Sequence, residues 1–299
     1  MNPGTTEPVA ATAQSHGIAI VLMLTASAFI ALSTLVAKML GTGTLGPEIH
    51  PLQVTFGRFC FAFVFLLGLS ALMRPRLMRP NLRLHVARST FGWAGVTLMF
   101  AAAARIPLAD ATAISFLNPV FAMALAVIFL KEQVGWVRWS AAAIAFFGAL
   151  VLLRPGTGSF QPAALLALAS AAVIGCEVIL IKMLSDKETP FTILLTNNAI
   201  GLTIATAAAS FVWVSPSPAV WMGMAAVGLS MATAQICFVN SLARAETSFI
   251  VPFSYAALIF AAVYDAVVFS ALPDSVSVLG AAVIITGGGL LAWREGMRR

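Results

Sequence analysis

Polar side chains in the middle of long apolar stretches are the residues of this chain that could do chemistry. Ser115, Asn118 and Pro119 lie within one such stretch, and Ser254 and Tyr255 lie within a later one. Ser115 and Asn118 are three residues apart and would share one face of a helix, while Pro119 removes a backbone hydrogen bond nearby. This pattern could bind a small polar solute, or it could be a packing kink in which Ser115 bonds back to its own helix.

Further side chains in similar stretches offer hydrogen bonds and apolar surface. Gln235 can both donate and accept, although polar amides also join helices to one another. Trp93 and Met99 could form an apolar wall, although such side chains also serve in ordinary packing. An amino-acid zwitterion needs partners for a carboxylate and an ammonium, and an apolar wall for its side chain. These residues are therefore candidates for binding such a substrate.

Three ionisable residues fall inside apolar stretches, where an unpaired charge is costly. Glu177 could bind the ammonium of a substrate or a coupling proton, or it could be a structural partner of Arg58 or Lys182. Asp265, near the end of its stretch, is a further candidate for coupling or for an ion pair.

The overall composition places these residues in a lipid bilayer. Charged residues make up 9% of the 299 residues, against about 25% in soluble proteins. Hydrophobic residues make up 60%, and the mean hydropathy is +0.97, which is more apolar surface than one compact core could bury. A cytosolic enzyme and a disordered chain are excluded. Three scattered cysteines in apolar runs indicate no disulfide framework, and we expect no metal, no cofactor and no nucleic-acid partner.

Ten stretches approach the length of about 20 apolar residues that a helix needs to cross a bilayer. The first stretch is expected to stay in the mature chain, because no Lys or Arg precedes it and it lacks a short, bounded apolar core. The predicted spans are 18–36, 51–73, 86–104, 108–130, 137–153, 162–181, 190–212, 219–242, 248–269 and 276–293.

Basic residues predict the orientation of the chain. Ten spans would place the tails 1–16 and 294–299 on the same side, and the side richer in Lys and Arg is cytoplasmic. Both termini are therefore predicted to be cytoplasmic. Of the 17 basic residues, 13 would lie on that side: Arg74, Arg76, Arg79, Arg83, Arg88, Lys131, Arg138, Lys182, Lys187, Arg244, Arg294, Arg298 and Arg299.

The chain also matches itself at a shift of 139 residues, which becomes 144 before Pro51. Each half then holds five spans, an odd number, so the second half must enter the membrane from the opposite side. Residues 17–156 and 157–293 are the predicted halves of an all-α polytopic membrane protein, with ten transmembrane helices as two inverted five-helix repeats around a central cavity. The shift pairs Pro51 with Pro190, Ser115 with Ser254, and Gly148 with Gly287.

The same segments resemble a known family. The run Ala-Thr-Ala-Ile-Ser-Phe-Leu-Asn-Pro-Val-Phe from Ala111 to Phe121 is similar to the EamA repeat of the drug/metabolite transporter superfamily. In the second half, Pro252-Phe253-Ser254-Tyr255 occupies the equivalent place, and Ala271 stands where that family usually has Glu. Further elements of the resemblance are Leu130-Lys131-Glu132, Gly148, Arg154-Pro155-Gly156 and Leu272-Pro273-Asp274.

Within the superfamily the chain most resembles the YddG-type amino-acid exporters of bacterial inner membranes. The resemblance implies two inverted five-helix repeats and the export of neutral or aromatic amino acids, or related small metabolites, by alternating access. A drug or another metabolite is the alternative cargo, and a phosphate-bearing one would need buried basic residues, of which the sequence offers Arg58 alone.

Other functions fit the sequence less well. A membrane-embedded enzyme would need a nucleophile and a base at membrane depth, but His16, His50 and His85 lie at or outside the edges of predicted spans. A receptor would not need an inverted repeat with paired broken helices. We therefore expect a non-enzymatic carrier. The glycines 287–289 and Gly148 suggest close helix packing or a homodimer seam, so both monomer and homodimer remain open.

Overall fold

The chain folds as a bundle of helices. The computed structural model describes residues 9–75, 77–129, 135–153, 161–185, 187–242, 244 and 250–296, and every element in these ranges is helical. Helices satisfy all backbone polar groups internally, as a chain in lipid requires. The helices are α1 (Val9–Gly41), α2 (Pro51–Met73), α3 (Leu82–Ala103), α4 (Leu108–Ser115), α5 (Asn118–Phe129), α6 (Trp136–Leu153), α7 (Ala164–Ser185), α8 (Pro190–Ala209), α9 (Pro218–Leu242), α10 (Ala256–Phe269) and α11 (Ser275–Gly296), with a 3₁₀ turn at Val251–Tyr255 before α10.

Many of these helices are long and apolar enough to cross a membrane. Within the described residues, six segments meet this description: Gly17–Gly41, Pro51–Met73, Leu108–Ile128, Ala164–Ile181, Pro190–Ala209 and Pro218–Leu242. Three shorter apolar segments are Trp139–Leu153, Phe253–Phe269 and Ser275–Leu290. Helix α3 is less apolar because its first two turns carry Arg83, His85 and Arg88. Ten transmembrane helices therefore remain a prediction.

Two predicted spans are not single uninterrupted α-helices. The span 108–130 consists of α4 and α5, which are separated by Phe116 and Leu117. The other span, predicted as 248–269, starts in the described chain with the 3₁₀ turn before α10. Several sequence predictions fall outside the described residues: the first eight residues of the tail, Leu130-Lys131-Glu132, Arg154-Pro155-Gly156 and the basic residues Arg298 and Arg299.

The packing of the helices follows the internal repeat. Helix α1 packs against α9 in the same way that its counterpart α7 packs against α3, the counterpart of α9. Helix α2 packs against its own counterpart α8, and α6 packs against its own counterpart α11. Helices that meet their own counterparts must lie next to the pseudo-two-fold axis of the molecule.

Two equivalent glycines bring α6 and α11 into close contact. A Cβ atom on Gly148 would lie 2.8 Å from both the Gly280 carbonyl oxygen and the Ile284 nitrogen. A Cβ atom on Gly287 would lie 2.7 Å from the Ala141 carbonyl oxygen and 2.5 Å from the Ala145 nitrogen. The shift of 139 residues converts the first set of contacts into the second. Both glycines are therefore used for helix packing within one chain.

The bundle has two ends, which we name by a residue at each. At the Lys38 end, α1 and α10 finish and α4 begins, and Lys38 bonds Asp265. At the His85 end, α3 and α8 begin, and His85 bonds Glu188 from the loop before α8. In the predicted topology the Lys38 end is outside the cell and the His85 end is in the cytoplasm.

Candidate functional site

A cavity of about 480 Å³ lies between the two halves of the chain, and we call it the Tyr255 cavity. Helices α1, α3, α4 and α5 line it from the first half, and α7, α9, α10 and the 3₁₀ turn line it from the second. Its wall combines aromatic and aliphatic side chains with a few hydroxyl and amide groups. The predicted binding residues that line it are Met99, Ser115, Asn118, Pro119, Ser254 and Tyr255.

The turn between α4 and α5 borders this cavity, and a side chain at the turn replaces a backbone hydrogen bond that a proline removes. Pro119 has no N–H group to donate to the carbonyl oxygen of Ser115, four residues earlier. The side-chain Nδ2 of Asn118 donates to that oxygen instead, at 2.9 Å, and the Ser115 hydroxyl donates to Thr112 O at 2.7 Å. The sequence left open whether Ser115 bonds to its own helix, and the structure shows that it does. Ser115 and Asn118 therefore present mainly acceptor oxygens to a solute.

Phe116 and Tyr255 mark the symmetry axis inside the Tyr255 cavity. The shift of 139 residues makes them counterparts. Their rings touch, with centroids 4.7 Å apart and planes inclined by 40°. A Cβ atom on Gly288 would clash with the Tyr255 hydroxyl, so the missing side chain at Gly288 makes room for that ring. An inverted-repeat carrier places its substrate near this axis, close to the middle of the membrane.

A second cavity of about 670 Å³ adjoins the first on the side of the His85 end, and we call it the Glu177 cavity. Glu177 and Gln235 line it, so the structure places these two predicted residues together. The Tyr255 cavity and the Glu177 cavity share four apolar lining residues: Ile30, Ile174, Met231 and Phe238. Trp93 lines neither cavity, and its buried indole N–H has no hydrogen-bond partner among the described residues.

Glu177 is paired with Arg88, a residue that the sequence placed in the basic cytoplasmic set. The Arg88 Nη2 and Glu177 Oε1 atoms are 3.4 Å apart, and Arg88 is only 4% exposed. Arg58 is equally buried and interacts electrostatically with both residues. The prediction that Arg58 is the only buried basic residue is therefore wrong, because Arg88 and Lys38 are also buried. The side chain of Lys182, the other predicted partner, is outside the described part of the chain.

The spacing of residues in α3 could have revealed this cluster. His85, Arg88 and Gly92 recur at intervals of three and four, so they share one face of the helix. That face packs on α7 and α8. Counting Arg88 together with Arg83 among the basic residues of the cytoplasmic side missed this periodicity, because the positive-inside rule uses the number of charges and ignores their helical phase.

His85 is also buried, although the sequence placed it at the edge of a span. Its Nε2 atom lies 2.8 Å from Glu188 Oε2, and Glu188 Oε1 accepts a hydrogen bond of 2.8 Å from the Asn81 N–H. Burial opposes the charge on Glu188, but the hydrogen bonds from Asn81 and His85 and the charge of His85 outweigh it. The pKa of Glu188 therefore lies below its ordinary value.

Asp265 forms an ion pair, one of the two roles predicted for it. Its Oδ1 lies 2.6 Å from Lys38 Nζ, and its Oδ2 accepts a hydrogen bond of 2.7 Å from the Leu108 N–H. Lys38 Nζ also lies 4.6 Å from the centroid of the Phe269 ring. One buried carboxylate thus ties α1, α4 and α10 together at the Lys38 end.

Comparison with known proteins agrees with this architecture. The profile of the EamA-like transporter family matches residues 17–154 and 161–293. The chain belongs to this family. It is therefore a multi-pass membrane protein of a transporter family, with a small molecule as its expected cargo.

Individual relatives carry different cargo. The S-adenosylmethionine uptake transporter of Rickettsia felis is 28% identical over 247 residues, which cover 81% of this chain and 82% of that protein. The riboflavin transporter of Rhizobium johnstonii is 31% identical over 254 residues, covering 83% and 82%. A solved crystal structure shares the fold, with a TM-score of 0.60 and 19% identity, over 90% of this chain and 97% of the other.

The predicted membership of the EamA family is confirmed, but the narrower resemblance to YddG-type amino-acid exporters is not supported. The relatives just described are named for S-adenosylmethionine and riboflavin. The motifs around Asn118-Pro119 and Ser254-Tyr255 suggested the EamA repeat, and they lie in the regions that the family profile covers. These motifs shape the broken helices and carry little information about the solute.

Proposed function

We propose that this protein is a secondary transporter that carries neutral or aromatic amino acids, or related small metabolites, across a bacterial inner membrane by alternating access. The observation that supports this most is the Tyr255 cavity, where the turn between α4 and α5 and the 3₁₀ turn before α10 meet at the symmetry axis. In lipid, an interrupted helix is tolerated where protein or a water-filled cavity satisfies its backbone. Two such interruptions facing one cavity are typical of a transport site.

The walls of the two cavities suit an amino acid. The Tyr255 cavity offers Met99, Phe116 and Tyr255 to an apolar or aromatic side chain. The Glu177 cavity offers a carboxylate on Glu177 and an amide on Gln235 to an ammonium group. Neutral amino acids carry both kinds of group, and so do metabolites built on an amino acid.

The proposed architecture has ten transmembrane helices in two inverted halves, with both termini in the cytoplasm. Rocking of one half against the other would expose the cavities first to one side and then to the other. Export would load the substrate from the His85 end and release it at the Lys38 end. The close contact of α6 and α11 within one chain leaves Gly148 and Gly287 unavailable as a homodimer seam.

S-adenosylmethionine is the second candidate substrate. The relative from Rickettsia felis is named for its uptake and is similar over most of both chains. S-adenosylmethionine contains an amino-acid end with a carboxylate and an ammonium, and an aromatic adenine. Its polar and aromatic parts could occupy the Glu177 and Tyr255 cavities respectively.

Counterflow in proteoliposomes tests the proposed function. Vesicles loaded with one unlabelled solute would be diluted into the same solute carrying a radioactive label, for a panel of neutral and aromatic amino acids, S-adenosylmethionine and riboflavin, with and without a pH gradient. We expect accumulation of label with at least one aromatic amino acid. Exchange of S-adenosylmethionine alone would favour the second candidate, and the absence of exchange with every amino acid would overturn the first.

A further inference from the structure

Among the described residues, a charged cluster at the Glu177 cavity has charges that do not cancel. Arg88 and Glu177 line the cavity, and Arg58, which does not line it, interacts electrostatically with both, so that two guanidinium groups accompany one carboxylate. An uncompensated positive charge inside a membrane protein is costly and usually marks a functional site. The 3.4 Å pair of Arg88 and Glu177 neutralises only one of the two arginines.

The same arginines have hydrogen-bond donors that are not used. Arg58 Nε, Arg58 Nη1 and Arg88 Nε are buried without a partner in the part of the chain that the structure describes. Arg88 Nη1 donates to the Ile193 carbonyl oxygen at a long 3.3 Å. A buried donor without a partner costs free energy, and the cost is larger when the group is charged. Of the two arginines, Arg88 lines the cavity, so its guanidinium is the one that an acceptor entering from outside the chain would meet.

The cluster can be reached from the cavity. Arg88 and Glu177 both line the Glu177 cavity, and so does Gln235, whose Oε1 has no partner within the described residues. The missing side chain at Gly92 makes room for the carboxylate, because a Cβ atom there would lie 2.8 Å from Glu177 Oε1. A solute in the cavity would therefore meet the guanidinium of Arg88 and the carboxylate of Glu177 side by side.

We propose that Arg88, supported by Arg58, binds the carboxylate of the transported solute, while the apolar or aromatic body of that solute extends past Met231 and Phe238 into the Tyr255 cavity. This inference rests on the proposed function and narrows the substrate class to monocarboxylates with an apolar body. If the solute is an α-amino acid, the Glu177 carboxylate and the Gln235 Oε1 atom accept hydrogen bonds from its ammonium group.

The charge balance favours a carboxylate over a phosphate. The cluster carries one net positive charge, so a carboxylate brings it to neutrality. A dianionic phosphate would leave a buried negative charge beside Glu177. A guanidinium also matches the two oxygens of a carboxylate through parallel hydrogen bonds.

Ligand-induced stabilisation of the purified transporter tests the carboxylate site separately from transport. The melting temperature would be measured in detergent with 3-phenylpropionate and with its neutral isostere 3-phenylpropionamide. We expect the acid to raise the melting temperature, and the amide to require at least about a tenfold higher concentration for the same shift. Equal shifts from the two compounds, or no shift from either, would overturn the inference without any variant being made.

Two substitutions with opposite expected effects test which residue binds the carboxylate. Arg88→Gln should weaken binding of 3-phenylpropionate at least about tenfold, whereas Glu177→Gln should preserve or tighten it, because it removes the competing negative charge. Arg105→Gln is the matched control, since Arg105 is exposed near the Lys38 end and donates to Ala101 O. If the two residues had a purely structural role, Arg88→Gln and Glu177→Gln would both lose binding of 3-phenylpropionate. That result would overturn the proposal.

Counterflow of L-phenylalanine in the same variants keeps the two proposals distinguishable. Glu177→Gln should impair it, because the ammonium of phenylalanine loses its carboxylate partner. Acid binding without counterflow of any solute would refute the proposed transport function and leave the carboxylate site standing. Counterflow that Arg88→Gln leaves unchanged would refute the carboxylate site alone, and unchanged counterflow in Glu177→Gln would remove Glu177 from ammonium binding.

Discussion

Glu188 connects two elements at the His85 end through its two carboxylate oxygens. One oxygen accepts from the Asn81 N–H before α3, and the other bonds His85 within α3. Thr192, one turn into α8, accepts from the Met78 N–H nearby. A single loop carboxylate thus fixes the start of α3 against the start of α8.

This contact makes the stability of the His85 end depend on pH. The pKa of Glu188 is below its ordinary value in the folded chain, so protons bind more readily in the unfolded chain. Its stabilising contribution is therefore complete above the ordinary value of about 4.3 and is lost as the pH falls through the folded pKa. Glu188→Gln should lower stability at pH 7 by roughly 1–3 kcal/mol.

Melting temperatures in detergent between pH 7 and pH 3 check this expectation. The difference between the native chain and Glu188→Gln should shrink as the pH falls. Glu48→Gln, at an exposed residue near the Lys38 end, is the control and should have little effect at any pH. A difference that stays constant over the whole range would contradict the assignment.

Single residues also show where the sequence was informative. Mid-span polarity was enough to find Ser115, Asn118 and Tyr255, which lie together in one cavity. Polarity alone did not show that the donors of Ser115 and Asn118 are used within the chain, because this depends on the local backbone around the break. Arg88 was missed because its side chain turns inward from a segment rich in basic residues.

At the scale of elements, the pair of Lys38 and Asp265 joins three helices. It holds the end of α1 against α10, and Asp265 also accepts from the Leu108 N–H at the start of α4. Both charged residues are buried, so removing one would leave the other without its partner in an apolar environment. Helix ends at the Lys38 end therefore cannot separate without breaking this pair.

Substitution of the two residues, singly and together, should reveal this coupling. Asp265→Asn alone should cost about 3–5 kcal/mol, because Lys38 stays buried and unpaired. Adding Lys38→Met should recover much of the loss, since the amide oxygen introduced by Asp265→Asn can still accept from the Leu108 N–H. Thermal melting of the single and double variants gives the coupling energy. Strictly additive losses would show that the pair is not a unit.

Helix boundaries were predictable because apolar runs end where the chain leaves lipid. The predicted span 51–73 coincides with α2, Pro51–Met73. The separation of α4 from α5 was harder to predict from the sequence. Pro119 alone indicates a kink within one helix, whereas the tight turn at Phe116 and Leu117 also has the Asn118 side chain donating in place of the missing N–H.

At the scale of the whole molecule, the distribution of basic residues assigns a direction to the bundle. The predicted topology puts Arg79 in the cytoplasm and Thr44 outside, and both side chains are exposed. This orientation decides which cavity a cytoplasmic solute reaches first. It follows from the positive-inside rule and is independent of the packing inside the bundle.

Cysteine labelling of intact cells checks the orientation. In a variant with Cys60, Cys176 and Cys237 replaced by Ala, an impermeant maleimide should label Thr44→Cys and should not label Arg79→Cys until the cells are permeabilised. A fluorescent protein fused to the carboxyl terminus should fold and emit in the cytoplasm. Labelling of Arg79→Cys alone in intact cells would reverse the proposed direction.

Composition and self-similarity were enough to predict a helical membrane protein of two related halves, because lipid restricts the chain to a few architectures. The cargo could not be predicted in the same way. In the proposed function it depends on which side chains line the Tyr255 and Glu177 cavities, and the repeat motifs do not determine these.

The contact between α6 and α11 has a consequence for the origin of the chain. Gly148 meets Gly280 and Ile284 just as Gly287 meets Ala141 and Ala145, so the seam is the same surface used twice. Such a self-complementary surface is what two identical chains use to form an isologous dimer. The two halves of this chain therefore pair as two copies of one five-helix unit would, which is the arrangement that duplication of such a unit produces.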